Sequence, residues 1–320
     1  MKPKNHFLEG PWSSYIILLL LIAVTLWSAY SLVRTDEETP QPRVSVLVED
    51  SSNERWTAFR LGLDQAAREY GADVTFITSS VFSGAEDQKN LIGQEAAGST
   101  DALILSPYDS EETDYISGAV KLVYVETDGI RDRSEGTVAV VPPGRKIGEA
   151  LGQMLLERNG PKLSVAILLG NTHRYSQMEM LQGLTEVIES AGGSVFPIEA
   201  EEEDLPDAMA LAKKADLIAV LEDRLLMEAA KLSASSNFGE SILYGVGCSP
   251  SNISYLDRGV ISGMVVPNEF TMGYQSLAQL TEFLKKDIPV MKDIEVGFTC
   301  VRTDDVHNPA NEKLLFPVIQ

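Results

Sequence analysis

Apolar and polar positions alternate along most of this chain in two rhythms. Short β-branched runs bounded by polar residues read as strands, and segments with apolar residues three and four apart read as amphipathic helices. The spacing predicts strands over 43–49, 73–78, 102–105, 122–126 and 138–141, with helices over 54–70, 84–97 and 110–119 between them. The same rhythm restarts with a helix over 143–158. It continues with strands over 163–169, 194–199, 217–221, 242–246 and 261–266 and helices over 176–191, 204–214, 223–233, 251–258 and 271–285. In the helix over 54–70 the apolar face is Trp56, Phe59, Leu63, Ala66, Ala67 and Tyr70, and Gly71 is placed to cap it. Continuous apolar strands alternating with amphipathic helices imply parallel sheets covered on both faces. Roughly ten such units exceed what one open sheet usually holds, so two Rossmann-like lobes are expected, with ligand chemistry beyond the carboxyl ends of the strands.

One segment departs from both rhythms. Residues 15–33, YIILLLLIAVTLWSAYSLV, carry no charge, and about 19–20 such residues in a helix cross a bilayer. Trp12, Tyr15, Trp27 and Tyr30 stand near its ends, Lys2 and Lys4 precede it, and Asp36, Glu37 and Glu38 follow. The expectation is a short cytoplasmic N-terminus (1–14), a single transmembrane helix or signal anchor (15–33), a linker (34–42) and an extracytoplasmic domain (43–320) on a cell membrane. Cleavage after Ala29 is the competing reading, and Trp27 at the minus-three position argues against it.

Composition narrows the function classes. A net charge of −21 disfavours nucleic acid and anionic lipid surfaces as partners. Cys248 and Cys300 either pair in an oxidising compartment or remain two buried thiols. No cysteine–histidine cluster suggests a metal, and no phosphate-binding glycine loop or nucleophile elbow suggests an enzyme or a cofactor. A transcription regulator would need a helix-turn-helix where the apolar segment stands.

From about residue 43 onward the order of local patterns resembles the type I periplasmic binding proteins of the ribose and galactose binding family. The patterns are VSVLVEDSSNERWTAFRLG (44–62), DALILSPYD (101–109), LVYVETD (122–128), QGL (182–184), LED (221–223), LYGVG (243–247) and VVPNEFTMGY (265–274). The resemblance implies lobe 1 at about 43–142 and 269–297, lobe 2 at about 143–268 and 298–320, and three crossovers near Pro142–Pro143, Asn268–Glu269 and Phe298. It implies a hinged, non-enzymatic binder of a small sugar-like solute, feeding an ABC permease or reporting to a membrane sensor kinase or chemoreceptor.

Residue by residue, Asn53 matches the amide of the family's first ligand loop. Trp56 matches one aromatic position, or else begins the helix core, and Arg55 takes the other aromatic position. Glu49 ends the first strand. Glu126 and Thr127 stand where the family has an Asp–Arg pair, and Glu222 where it has an Asn. Arg174, or His173 beside it, is placed to compensate for the arginine replaced by Met178, unless both are plain loop residues. Gly247 stands in place of an Asp, and Asn268 follows Pro267, which replaces a Gln. The candidate ligand set is Glu49, Asn53, Arg55, Trp56, Glu126, Thr127, Arg174, Glu222 and Asn268. It leans acidic, which suits a neutral polyol or a cation better than a phosphate or carboxylate.

Overall fold

The computed structural model describes residues 11–33, 41–50, 53–77, 82, 84–110, 121–125, 137–235 and 242–316. The chain divides into two compact units, residues 1–41 and 42–320. In the first, helix α1 (Pro11–Val33) runs 23 residues without a charged side chain. Its described side chains, at 12 and 15–29, are all exposed, and among the described residues no helix is long and apolar enough to cross a membrane. The helix expected over 110–119 lies, apart from Ser110, outside the described residues, as do Glu126, Thr127 and most of the linker.

The second unit is built on two six-stranded sheets. The first takes β1 (Arg43–Leu47), β2 (Asp73–Phe76), β3 (Ala102–Leu105), β4 (Lys121–Val125), β5 (Thr137–Val141) and β11 (Ile294–Glu295), in the order β11-β5-β4-β3-β1-β2. The second takes β6 (Ser164–Leu169), β7 (Ser194–Glu199), β8 (Leu217–Val220), β9 (Leu243–Val246), β10 (Ile261–Pro267) and β12 (Phe298–Arg302), in the order β12-β10-β9-β8-β6-β7. Every pairing is parallel except that of β12 with β10, which is antiparallel. The chain passes between the sheets three times, after β5, after β10 and between β11 and β12. The crossing segments are bonded to one another, Val296 N to Val141 O at 2.9 Å and Asn268 N to Gly297 O at 2.9 Å.

The inner strands, β1, β3, β6, β8, β9 and β10, are buried on both faces because helices cover both. In β8, Ile218 and Val220 join one core with Leu225, Leu226 and Met264, while Leu217 and Ala219 join another with Ile147, Leu151 and Leu184. In β1, Val44 and Val46 pack with Phe59, Leu63 and Met272, and Leu47 packs with Ile92 on the other side. The two sheets also start alike. Asp101 accepts the Arg43 N–H at 2.8 Å, and Asp216 accepts both the N–H and the hydroxyl of Ser164, at 2.8 and 2.9 Å. Those bonds hold the Asp216 carboxyl below its usual range, the backbone N–H being the larger cause. Cys248 is buried, Cys300 is exposed, and both thiols are free.

Each sheet is clasped by one pair of closely packed helices. Helix α2 (Thr57–Tyr70) packs on α9 (Glu269–Leu284), and α4 (Gly144–Asn159) on α5 (Tyr175–Ser190). Both contacts use reciprocal glycines. A Cβ at Gly62 would stand 2.0 Å from the Phe270 carbonyl oxygen, and one at Gly273 would stand 2.2 Å from that of Phe59. Likewise Gly148 faces Met180 O at 2.0 Å and Gly183 faces Arg145 O at 2.2 Å. A side chain at any of these four positions forces the helix backbones apart.

Gly62→Ala and Gly148→Ala are each expected to destabilise the fold by about 1–3 kcal/mol through overpacking. Gly93→Ala, in α3 (Ala85–Ala97) with nothing within 4 Å of the added Cβ, should stabilise it by about 0.5–1 kcal/mol. Urea unfolding of residues 42–320, which hold every buried core side chain, reads both signs. An unchanged midpoint for Gly62→Ala and Gly148→Ala would rule out the close approach.

Candidate functional site

The strand ends place the site. After β1, Asp50 adopts a positive φ of 43° and turns the chain into a 3-10 turn over Glu54–Trp56. Asn53 caps that turn: its Oδ1 accepts the Arg55 N–H at 3.0 Å, and its Nδ2 donates to Asp50 Oδ2 at 3.4 Å. Both ends of the amide are thus engaged within the loop. Trp56 is 1% exposed and belongs to the core, edge-on to Phe59 at 5.6 Å. Its indole N–H donates to Glu49 O at 3.1 Å, and the Arg55 guanidinium lies over its ring at 4.4 Å. Trp56 therefore supports Arg55 from behind.

Four charged side chains meet between the lobes in two pairs. Arg55 Nη2 stands 3.4 Å from Glu269 Oε1, and both residues are buried. Arg174, at the N-cap of α5, donates from Nη2 to Glu49 Oε2 at 2.5 Å, tying the loop after β6 to the end of β1. Neighbouring bonds close the same seam. Asn171 Nδ2 donates to Tyr108 O at 2.9 Å, Ser110 N to His173 O at 3.2 Å, and Tyr175 N to Ser110 Oγ at 3.1 Å. His173 itself is exposed, 3.7 Å from Asp109.

The remaining carboxylates serve the backbone. Glu222 caps α7 (Asp223–Ala234) by accepting the Leu225 N–H at 3.0 Å. Asp223 Oδ2 accepts the N–H groups of Cys248, at 2.5 Å, and Ser249, at 3.0 Å. Asn268 caps α9 through the Thr271 N–H at 2.9 Å. A Cβ at Gly247 would stand 2.7 Å from Asp223 Oδ2, so the buried Asp223 carboxylate leaves no room for a side chain there. Burial, with Glu269 and Asp223 nearby, pushes the Cys248 thiol well above its ordinary pKa, so it stays protonated.

Arg55, Arg174, Gln177, Glu222, Asp223 and Glu269 share the lining of a cavity of about 30 Å³. That is room for about one water, against roughly 300–1,000 Å³ for a small-molecule pocket. The lobes are closed, and a sugar-sized solute enters only if they part. Of the residues singled out from the sequence, Arg55, Arg174 and Glu222 line the cavity and Glu49 touches Arg174. Trp56 lies behind, Asn53 and Asn268 are caps, and Glu126 and Thr127 lie outside the described residues. Gln177, Asp223 and Glu269 were missed. Asp223 and Glu269 directly follow residues that were singled out, and Gln177 precedes Met178, the position where an arginine was sought.

No curated relative matches the sequence. Among solved structures, GanP, a glucose-galactose binding protein from Geobacillus stearothermophilus, is 18% identical with a TM-score of 0.73, over 84% of this chain and 100% of that one. An ABC transporter solute-binding protein from Burkholderia graminis, in complex with D-arabinose, is 16% identical with a TM-score of 0.75, over 85% and 99%. The XylFII-LytSN complex contains a chain 16% identical with a TM-score of 0.71, over 83% and 99%. The family model described as a periplasmic binding protein domain matches residues 44–287. With two lobes joined by three adjacent crossings, the chain belongs to the type I periplasmic binding proteins, a family of solute-binding proteins rather than enzymes.

Proposed function

We propose that the protein is a membrane-tethered extracytoplasmic binding protein that closes two lobes on a small, polar, sugar-like solute and delivers it to an ABC permease. The observation that carries this reading is the convergence of strand-end side chains from both sheets on one cavity beside three bonded crossings. Such crossings act as a hinge when lobes part. The sugars held by structurally similar proteins support a sugar-like solute.

One observation favours a second reading, a ligand-sensing accessory to a membrane histidine kinase or chemoreceptor. The cleft charges are already paired, Arg174 with Glu49 across the lobes and Arg55 with Glu269 within one, and the XylFII-LytSN complex contains a chain of the same fold. A closed surface would then be what the partner recognises. Gene neighbours discriminate: permease and ATPase genes favour delivery, and a kinase gene favours sensing.

The tether in this reading is α1. At 23 residues it is about 35 Å long, enough for a hydrocarbon core of about 30 Å. Permanent attachment would raise the effective concentration near a membrane partner. The full chain is expected to stay in the membrane pellet after alkaline carbonate extraction, while residues 42–320 go to the supernatant. Release of the full chain, with its N-terminus missing by mass spectrometry, would replace the anchor with a cleaved signal.

For the solute, a thermal-shift panel of neutral sugars and polyols, amino sugars, uronates and polyamines applies to residues 42–320. A binder at 100 times its dissociation constant should stabilise the fold by about 2.7 kcal/mol, or several degrees. Arg174→Ala and Glu222→Gln should each weaken that binder by about tenfold. No shift with any member would end the solute-binding reading.

A further inference from the structure

Gln177 sits in the first turn of α5, 3% exposed, in the wall of the cavity between the lobes. Its amide orientation is fixed by chemistry. Nε2 donates to the Leu221 carbonyl at 3.2 Å, and a carbonyl accepts only from the nitrogen, so Oε1 must be turned the other way. That oxygen is buried, and no group among the described residues donates to it. Native proteins rarely leave such an acceptor unpaired, and those that do usually have a reason at a site.

The cavity's other polar groups sharpen the point. Arg55 faces Glu269 and Arg174 faces Glu49, so each cation already has a carboxylate. Glu222 and Asp223 spend oxygens on backbone N–H groups. Each cation of the cavity thus already faces a carboxylate, and the Gln177 oxygen is a buried acceptor that a donor on the solute can satisfy.

We propose that Gln177 is a specificity-determining residue, its Oε1 accepting a hydroxyl or ammonium hydrogen from the bound solute while the paired arginines exclude anions. The proposal rests on the solute-binding reading above and adds to it a residue and a direction of selectivity. A hydroxyl satisfies Oε1 as a neutral donor and an ammonium as a charged one. A carboxylate at the same place presents oxygen to oxygen and is repelled.

The test is isothermal titration of residues 42–320 with three isosteric series: glucose, galactose and xylose; glucosamine and galactosamine; glucuronate and galacturonate. Wild type should bind at least one neutral or amino sugar about tenfold or more tightly than the matching uronate. Gln177→Leu should lose about tenfold or more of that affinity, as removal of a buried hydrogen bond to the solute requires. Gln177→Met, longer and more pliant, serves as a second truncation, and thermal melts of both free variants confirm that they fold. Gln177→Glu keeps an acceptor and adds charge while losing the bond to the Leu221 carbonyl, so, with its own melt confirming the fold, it should shift preference from neutral to amino sugar, which a purely structural role for Gln177 would not produce. Unchanged affinity in both truncations, or tightest binding of a uronate by wild type, overturns the proposal alone. Failure of wild type to bind any of the seven sugars overturns the solute-binding reading, and this proposal with it.

Discussion

Four glycines set the distance on which the rest of the domain depends. Where α2 meets α9 and where α4 meets α5, backbone touches backbone, each glycine facing the carbonyl three residues before its partner glycine. This matters most for α9. The chain reaches it directly from β10 of the second sheet, yet α9 packs its Met272, Leu277 and Leu280 into the core of the first. α4 makes the opposite passage, from β5 of the first sheet to the core of the second. These two of the three crossings are thus nailed down on arrival by a contact that tolerates no side chain. Rigid anchorage on both sides confines any change between the lobes to the short crossings themselves, which is the geometry a hinge needs.

The cleft obeys a different constraint, the cost of burying charge. An ion pair in a low-dielectric interior roughly breaks even against its desolvation, whereas an orphaned member is strongly destabilising. Arg55 and Glu269 come from opposite ends of the first lobe's sequence and settle that cost between themselves, with the Trp56 ring beneath the guanidinium. Arg174 and Glu49 settle it across the seam, so parting the lobes breaks one pair while leaving the other intact. A solute that opens this cleft must compensate for the exposed pair with its own hydrogen bonds. Cys248, whose thiol donates to Arg55 O at 3.6 Å, sits protonated behind Arg55 in the core of the second sheet and contributes packing rather than redox chemistry.

The alternation of elements was readable from sequence because it follows from periodicity, and up to residue 285 the described strands and helices fall within a residue or two of those expected, whereas the short helix Pro309–Leu315 was not expected. β11 and β12 were not readable. β11 is two residues long, too short for a period, and β12 is partly exposed and paired antiparallel, so it lacks the continuous apolar run that marked the others. The site was half readable. Arg55, Arg174 and Glu222 could be placed from their position after strands, since strand ends of parallel sheets converge. Asn53 and Asn268 have a second role that was not read: an amide just before a helix finds a backbone N–H within three residues and caps it. Gln177 carried no sequence signal, because its importance comes from the Leu221 carbonyl, which no spacing along the chain reveals.

The acidity of the chain and the pairing of charges in its cleft are separate facts with separate causes. The net charge of −21 is spread over exposed positions such as Glu201, Glu202 and Glu203, where solvent screens it. Inside, burial penalises charge without a partner: Arg55 and Arg174 are matched by Glu269 and Glu49, and the Glu222 and Asp223 carboxylates by backbone N–H groups. Composition therefore speaks to solubility and to partners at the surface, and is silent on what enters the cleft. Uncharged groups with fixed direction add selectivity to that of the charged pairs. The Gln177 amide is one, because one end is held by the backbone and the other is left to meet whatever the lobes close upon.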